Sequence, residues 1–301
     1  MRNMIPRRKF LAKTALAGTA ALIASCVTPS GEKKKQSIGE TVNRNPLKIG
    51  LMTYLIGKDW DIETVIKNCA DSGFQSVELR TTHAHGVEVN LSPDQREEVR
   101  RRFKDSSLET ISLASGFQYH SPDPDELEKN IRGTKDYILL AKDVGATGIR
   151  VFPNALPEEV PHEKTMEQIG KALAEVGSYG NDNGVEVRVC VHGSGTNSVP
   201  VIKKIIDYSQ SPYVYVNWNC NITDAEGEGL EYNFNSVKDR IRGVHMHDLH
   251  DPAYPYRQLF GLLSEMGYNG YCNAEIERVS CEPVEFMKCY KGLFLALQNA
   301  I

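Results

Sequence analysis

The chain has 301 residues, 41% hydrophobic and 25% charged, with 24 glycines and 14 prolines. This balance excludes collagen-like, low-complexity and charge-driven disordered chains, and the length is ample for a buried core. The formal net charge is −4. The acidic balance and the lack of a basic stripe exclude nucleic acid as a partner, because a phosphate backbone needs clustered cations.

At the N-terminus Arg2, Arg7, Arg8, Lys9 and Lys13 precede an apolar run from Thr14 to Ser25, with no acid before Glu32. The run is shorter than the roughly 20 apolar residues of a spanning helix. A basic start, a short apolar run and small residues predict a signal peptide over 1–26. Arg7-Arg8-Lys9-Phe10-Leu11 resembles a twin-arginine export signal, and Ile23-Ala24-Ser25-Cys26 resembles a bacterial lipobox. The expectation is an exported, periplasmic or cell-envelope lipoprotein that meets the membrane only through a lipid on Cys26; a plain secretory signal with an incidental cysteine is the alternative. Loss of five cations from 35 leaves 30 against 39 acids, a mature charge of −9. Residues 27–45 hold Pro29-Ser30-Gly31, Lys33-Lys34-Lys35 and almost nothing apolar, the pattern of a flexible tether.

From Leu47 onward a short apolar strand followed by an amphipathic helix recurs eight times. The predicted strands are 47–53, 76–80, 109–115, 147–152, 186–191, 213–217, 243–247 and 270–276. The predicted helices are 61–72, 93–106, 124–144, 163–183, 199–209, 235–241, 255–266 and 283–299. Gly73, Gly145, Gly184 and Gly267 stop helices shortly before strands. Ser92-Pro93-Asp94-Gln95 and Asp123-Pro124-Asp125-Glu126 both read as capping boxes. Eight such units predict parallel strands in a single-domain (β/α)8 TIM barrel over 46–301. A doubly wound open sheet is the alternative, disfavoured because no G-x-G-x-x-G follows the first strand. Six cysteines lie beyond Cys26 with no C-x-x-C pair, and free, buried thiols are expected.

Barrel active sites sit at the C-terminal strand ends. There the sequence places Glu78, Arg80, His83 and His85 on or after strand two, and Gln118, Tyr119 and His120 after strand three. Arg150 and Asn154 follow on strand four, Cys190 and His192 on strand five, and Asn217, Asn219 and Asn221 on strand six. His245, His247 and Asp248 come from strand seven, and Asn273, Glu275 and Glu277 from strand eight. Alternation turns Asn273, Glu275 and Glu277 into the mouth, and likewise His245 and His247. Seven of the eight histidines fall on these ends or just beyond, His162 being the exception. Carboxylates and imidazoles converging on one mouth suit a divalent metal or proton transfer next to a carbonyl, with Arg150 as the cation that steadies an enediolate oxygen.

Ser76-Val77-Glu78-Leu79-Arg80, Val244-His245-Met246-His247-Asp248 and Tyr268-Asn269-Gly270-Tyr271 leading to Glu275 resemble the xylose isomerase-like TIM barrels, the sugar phosphate isomerase/epimerase superfamily, from Leu47 to Gln298. The resemblance implies a sugar or polyol substrate and a metal site of two glutamates, an aspartate and a histidine. His245 and Glu275 match two ligands, but Cys190 stands where a glutamate belongs and Asn219 where an aspartate belongs. Two carboxylates are therefore missing. Cys190, His245 and Glu275 would favour a softer ion such as zinc, with manganese the other candidate, or the site has decayed.

The expected function is that of a sugar isomerase or epimerase, or a related lyase, with Glu275 as base, His192 or His245 as second acid or base, and Arg150 as the cation. Glu78, Arg80, His83, His120, Asn219, His247 and Asp248 are the expected substrate-binding residues. A non-catalytic carbohydrate-binding lipoprotein with a degenerate metal site is the alternative. The acidic surface and the export signal count against an abasic-site endonuclease. A homo-oligomer is compatible with the sequence.

Overall fold

The computed structural model describes residues 46–298. The expected signal peptide over 1–26, with Cys26, and the tether over 27–45 lie outside the described residues. Eight strands close into a barrel in sequential order: β1 (Lys48–Met52), β2 (Ser76–Arg80), β3 (Thr110–Gln118), β4 (Gly148–Phe152), β5 (Glu186–Cys190), β6 (Val214–Trp218), β7 (Ile241–Met246) and β8 (Tyr271–Glu275). Neighbours are parallel throughout, and β8 closes on β1 from Lys48↔Tyr271 to Met52↔Glu275. The helices are α1 (Ile62–Ser72), α2 (Pro93–Lys104), α3 (Pro124–Val144), α4 (His162–Asp182), α5 (Val199–Ser209), α6 (Leu230–Val237), α7 (Tyr256–Glu265) and α8 (Pro283–Gln298). The fold is the (β/α)8 barrel, not the open sheet.

Strand alternation sorts the core into two parts. On β5, Val187 and Val189 are fully buried, while the alternate positions are Glu186, Arg188 and Cys190. The outer layer is apolar: Trp218 meets Phe234 of α6 edge-on, ring centroids 5.7 Å apart. Beside Met52, Ala114 and Cys190, the buried residues on the alternate positions, Ser76, Glu78, Ser112, Arg150, Arg188, Asn217, His245 and Asn273, are polar, where barrel interiors are usually filled by branched hydrophobes.

Local signals hold at most element ends. Ser92 closes its capping box with Gln95, and Gly73 and Gly145 end α1 and α3 in the left-handed region at φ 71° and 79°. The box predicted at Asp123 does not form. Asp123 accepts from the Asp125 amide at 3.0 Å, whereas Glu126 takes the Ser121 hydroxyl at 2.7 Å. The helix predicted at 235–241 is in fact α6 at Leu230–Val237 followed by a 3-10 turn at Lys238–Arg240. Leu230, Phe234 and Val237 make its buried stripe. Ile241, placed by the sequence in that helix, opens β7 and pairs with Val216. All six described cysteines are free, but Cys281 and Cys289 are exposed rather than buried.

Gly243 points into this crowded interior, and a methyl group there would overlap Oδ1 of the buried Asn217. Gly243→Ala is expected to cost about 1–3 kcal/mol by overpacking. Gly292→Ala, in open space within α8, is expected to add roughly 0.5–1 kcal/mol by restricting the unfolded chain. Urea denaturation of both variants checks the contrast.

Candidate active site

Three strands that are distant in sequence bring a buried charge line together beneath the barrel mouth. His245 on β7 meets Glu78 of β2 through Nε2 at 2.7 Å and Glu275 of β8 through Nδ1 at 3.4 Å. Oε2 of Glu78 also accepts from the Ser112 hydroxyl at 3.2 Å and the Asn273 amide at 3.5 Å. Burial disfavours every charge here. For Glu78 the attraction of His245 and its hydrogen bond outweigh burial, and its pKa is lowered. Burial likewise pushes His245 down, but the charge of Glu78 and bonds to its neighbours raise it well above the ordinary imidazole value. Glu275, raised by burial, is brought down to about 2 by His245. The line is therefore an imidazolium between two carboxylates.

Beside it, the thiol of Cys190 donates to Oδ1 of Asn219 at 3.5 Å, and Nδ2 of Asn217 reaches Sγ at 3.6 Å. Asn219 also donates to Asn221 at 3.2 Å, and its carbonyl lies 2.8 Å from Nε2 of His247. On β4 the buried Arg150 donates from Nη1 to the Ser115 carbonyl at 2.7 Å, and its guanidinium lies 3.9 Å from the Phe152 ring centroid. Its Nε is buried without a partner. His192, just after β5 and exposed as a residue, packs its ring on Phe152 with centroids 4.7 Å apart and does not line the mouth cavity. Crowding by surrounding protein and the charge of Arg150 lower its pKa, so at neutral pH it offers a free lone pair.

Glu275, His247 and Asp248 line a cavity of about 380 Å³ at the mouth, with Asn221, Tyr254 and Tyr256. Glu78, expected at the substrate, is 1% exposed, and its carboxylate is committed to His245, Ser112 and Asn273. Arg80, His83 and His120 are half-buried. Arg80 faces the Tyr54 ring at 5.9 Å. Nδ1 of His83 lies 3.4 Å from the Thr53 hydroxyl, and burial lowers its pKa to about 4. Nδ1 of His120 is buried without a partner. His85 is held by the Arg80 carbonyl and the Val87 amide.

Residues 66–288 match the xylose isomerase-like TIM barrel family. The chain belongs to that family. An inosose dehydratase from Mesomycoplasma hyopneumoniae (strain J) is 22% identical over 207 residues, a match spanning 64% of this chain and 64% of that protein. Among solved structures, an L-ribulose 3-epimerase superposes with TM-score 0.70 at 15% identity, covering 84% of this chain and 96% of its own. The IolI protein, whose structure carries a bound zinc atom, gives 0.71 at 14% identity, covering 84% and 99%. At these identities the structural likeness shows the fold.

The metal implied for a xylose isomerase-like barrel can be tested on the donors present. Among the described residues no three His, Cys, Asp or Glu side chains are arranged to hold a metal ion. Cys190 and Asn219 satisfy each other, and His245 spends both ring nitrogens on carboxylates. A neutral amide and a thiol replace two carboxylates, a poor set for a hard cation. These residues do not fit the metal.

The sequence reading missed Tyr254, Tyr256 and Asp224. Tyr256 fell in the first turn of the predicted helix 255–266, Tyr254 just before it, and Asp224 in a loop. The polar run from Asn219 to Asp224 was the available signal. Asp224 is buried, and Oδ2 accepts from the Tyr254 hydroxyl at 2.9 Å while that hydroxyl accepts from the Trp218 indole at 2.8 Å. Its Oδ1 has no partner. Burial raises its pKa from 3.8 to about 7, against the opposing hydrogen bonds at Tyr254 and Asn221. Between those values the unfolded chain releases a proton that the folded chain keeps, so stability falls as pH rises through this window. Asp224→Asn is expected to flatten that fall, which in the wild type amounts to about 2–4 kcal/mol. Melting temperatures of both proteins between pH 4 and pH 8 check it.

Proposed function

We propose that this protein catalyses proton transfer next to a carbonyl in a sugar or cyclic polyol, as an isomerase, an epimerase or a lyase that expels water. The observation that carries the reading is Glu275 at the mouth cavity, held from below by His245 and Glu78. A fixed carboxylate placed against the substrate is the geometry a general base needs. The relatives named as an inosose dehydratase and an L-ribulose 3-epimerase support the same substrate class.

Glu275 takes the proton from the carbon beside the carbonyl. The C–H electrons form a carbon–carbon double bond, and the carbonyl oxygen becomes an enediolate. Arg150 is buried and outside the lining of the cavity, so its guanidinium supplies positive charge for that oxygen through space rather than by contact. His192, beyond the end of β5, is the second group: a base when neutral and the acid once it has taken up a proton. A proton delivered to the opposite face by a second acid, with Glu275 keeping the one it took, gives an epimer. Return of the Glu275 proton to the former carbonyl carbon, with the neighbouring hydroxyl proton passing to the other oxygen, gives an isomer. Departure of a β-hydroxyl that takes up a proton gives water and an enone. His245 is too tightly held between its carboxylates to exchange protons and acts as a positioning residue. No step passes through zinc or manganese.

A second reading, a carbohydrate-binding protein without catalysis, is favoured by the Cys190–Asn219 pair in place of two carboxylates. Incubating ketoses and inososes with the protein in deuterated water, after dialysis against a chelator, separates the two. Catalysis gives loss of a carbon-bound proton signal, slowed roughly 10²- to 10⁴-fold by Glu275→Gln. Binding in calorimetry with no exchange supports the second reading and overturns the first.

We further propose, on the likeness of Ile23-Ala24-Ser25-Cys26 to a lipobox, that the protein sits in the cell envelope with Cys26 as its lipid anchor. Cys26→Ala is expected to move the protein from the membrane pellet to the soluble fraction on cell fractionation. An unchanged pellet fraction contradicts the anchor.

A further inference from the structure

The opposite end of the barrel has a cavity of about 550 Å³ at the N-terminal ends of the strands. Hydroxyl and amide groups line it, from Ser76, Thr110, Ser112, Thr147, Asn269 and Asn273. Glycines on β1 and β4 make room for these groups. A methyl at Gly50 would overlap Ser76 and Asn273, and one at Gly148 would come within 2.8 Å of the Arg188 guanidinium.

Arg188 is the buried cation of this floor. Its Nε and Nη2 both donate to Oε2 of Glu186, at 2.9 and 2.7 Å, and Nη2 also reaches the Thr147 hydroxyl at 3.2 Å. These bonds leave Nη1 unspent among the described residues. Arg242, exposed on β7, lies 3.5 Å from the other oxygen of Glu186 and over the Tyr215 ring at 4.8 Å. The one other carboxylate lining the cavity, Glu109, is matched by Lys48 at 2.6 Å and accepts from Tyr271 and Gln75. Just above, Glu78 and Glu275 are matched by His245 and Arg150 together. Lys48 cancels Glu109 and Glu186 cancels one of the two arginines, which leaves one positive charge on a floor of hydroxyls and amides.

A neutral sugar would match the hydroxyls and amides but leave that charge uncompensated. The wall hydroxyls of Ser76, Thr110 and Ser112 spend their protons inside the protein, on Asn273, the Ile111 carbonyl and Glu78, but keep their acceptor lone pairs, so a bare inorganic anion would match the charge and offer those oxygens no donor. We propose that this floor is a second binding site, separate from the mouth, for a small hydroxylated monocarboxylate, the chemistry of a sugar acid. The carboxylate sits against Arg188 and Arg242, and the ligand hydroxyls against Ser76, Ser112 and Asn273.

Calorimetry with D-glucuronate, D-glucose and inorganic phosphate as probes tests this. The expected result is one equivalent of glucuronate bound at the floor, with glucose and phosphate each at least tenfold weaker. Arg242→Gln, on the exposed side, should weaken glucuronate about tenfold, the scale of one charge-assisted hydrogen bond. Arg188→Gln should do the same or more if that variant folds. Glu275→Gln, at the far mouth, should leave this binding unchanged. No binding of glucuronate, equal binding of glucose or phosphate, or loss of binding in Glu275→Gln with retention in Arg242→Gln each overturns the proposal.

Discussion

The pairing of His245 with Glu78 and Glu275 is the constraint on which the rest of the barrel depends. Moving two carboxylates out of water is costly, and removing one partner from such a buried set costs about 3–5 kcal/mol because a charge is left unmatched. The three residues come from β7, β2 and β8, so they meet only when β8 closes on β1 and β1 on β2. Gly50, on the intervening strand, lets groups from β8 and β2 approach each other, as Asn273 and Ser76 do at 3.4 Å. A side chain at that position would wedge them apart. Barrel closure and charge pairing thus require each other, and Glu275 reaches the mouth already oriented.

Much of the fold was legible because local rules and barrel topology agree. Parity on β8 put Glu275 and Asn273 on one face, and the capping box at Ser92 and the glycines at Gly73 and Gly145 marked helix ends. The reading failed at α6, where the apolar stripe of Leu230, Phe234 and Val237 runs on to Ile241 without a glycine or proline to mark the change from helix to strand. Only the partners of Ile241 on β6 show that it belongs to a strand. The site was legible in its members but not in their depths. Glu78 and Arg80 stand two apart on β2 and look equivalent in sequence. One is sealed in the core and the other is half-buried beside Tyr54, because the contacts that decide it come from β3, β7 and β8. Trp218, Tyr254 and Asp224 form a chain across segments about 30 residues apart, which no local pattern reveals.

The departures at Cys190 and Asn219 have a consistent physical outcome. A carboxylate at each position would add two negative charges beside Glu78 and Glu275, with His245 as the one cation in that line. The thiol and amide instead satisfy each other at 3.5 Å and add no charge, so the line keeps one net negative charge, which the nearby Arg150 offsets. Charge that other arrangements would place on a metal is carried here by a side chain.

The most direct test of this account is a nitrogen-15 spectrum of His245 in selectively labelled protein, followed from pH 5 to pH 9. The account predicts two protonated ring nitrogens at neutral pH, with the imidazolium persisting well above the ordinary histidine value of about 6.5. A neutral ring at pH 7, or titration near that ordinary value, would contradict it.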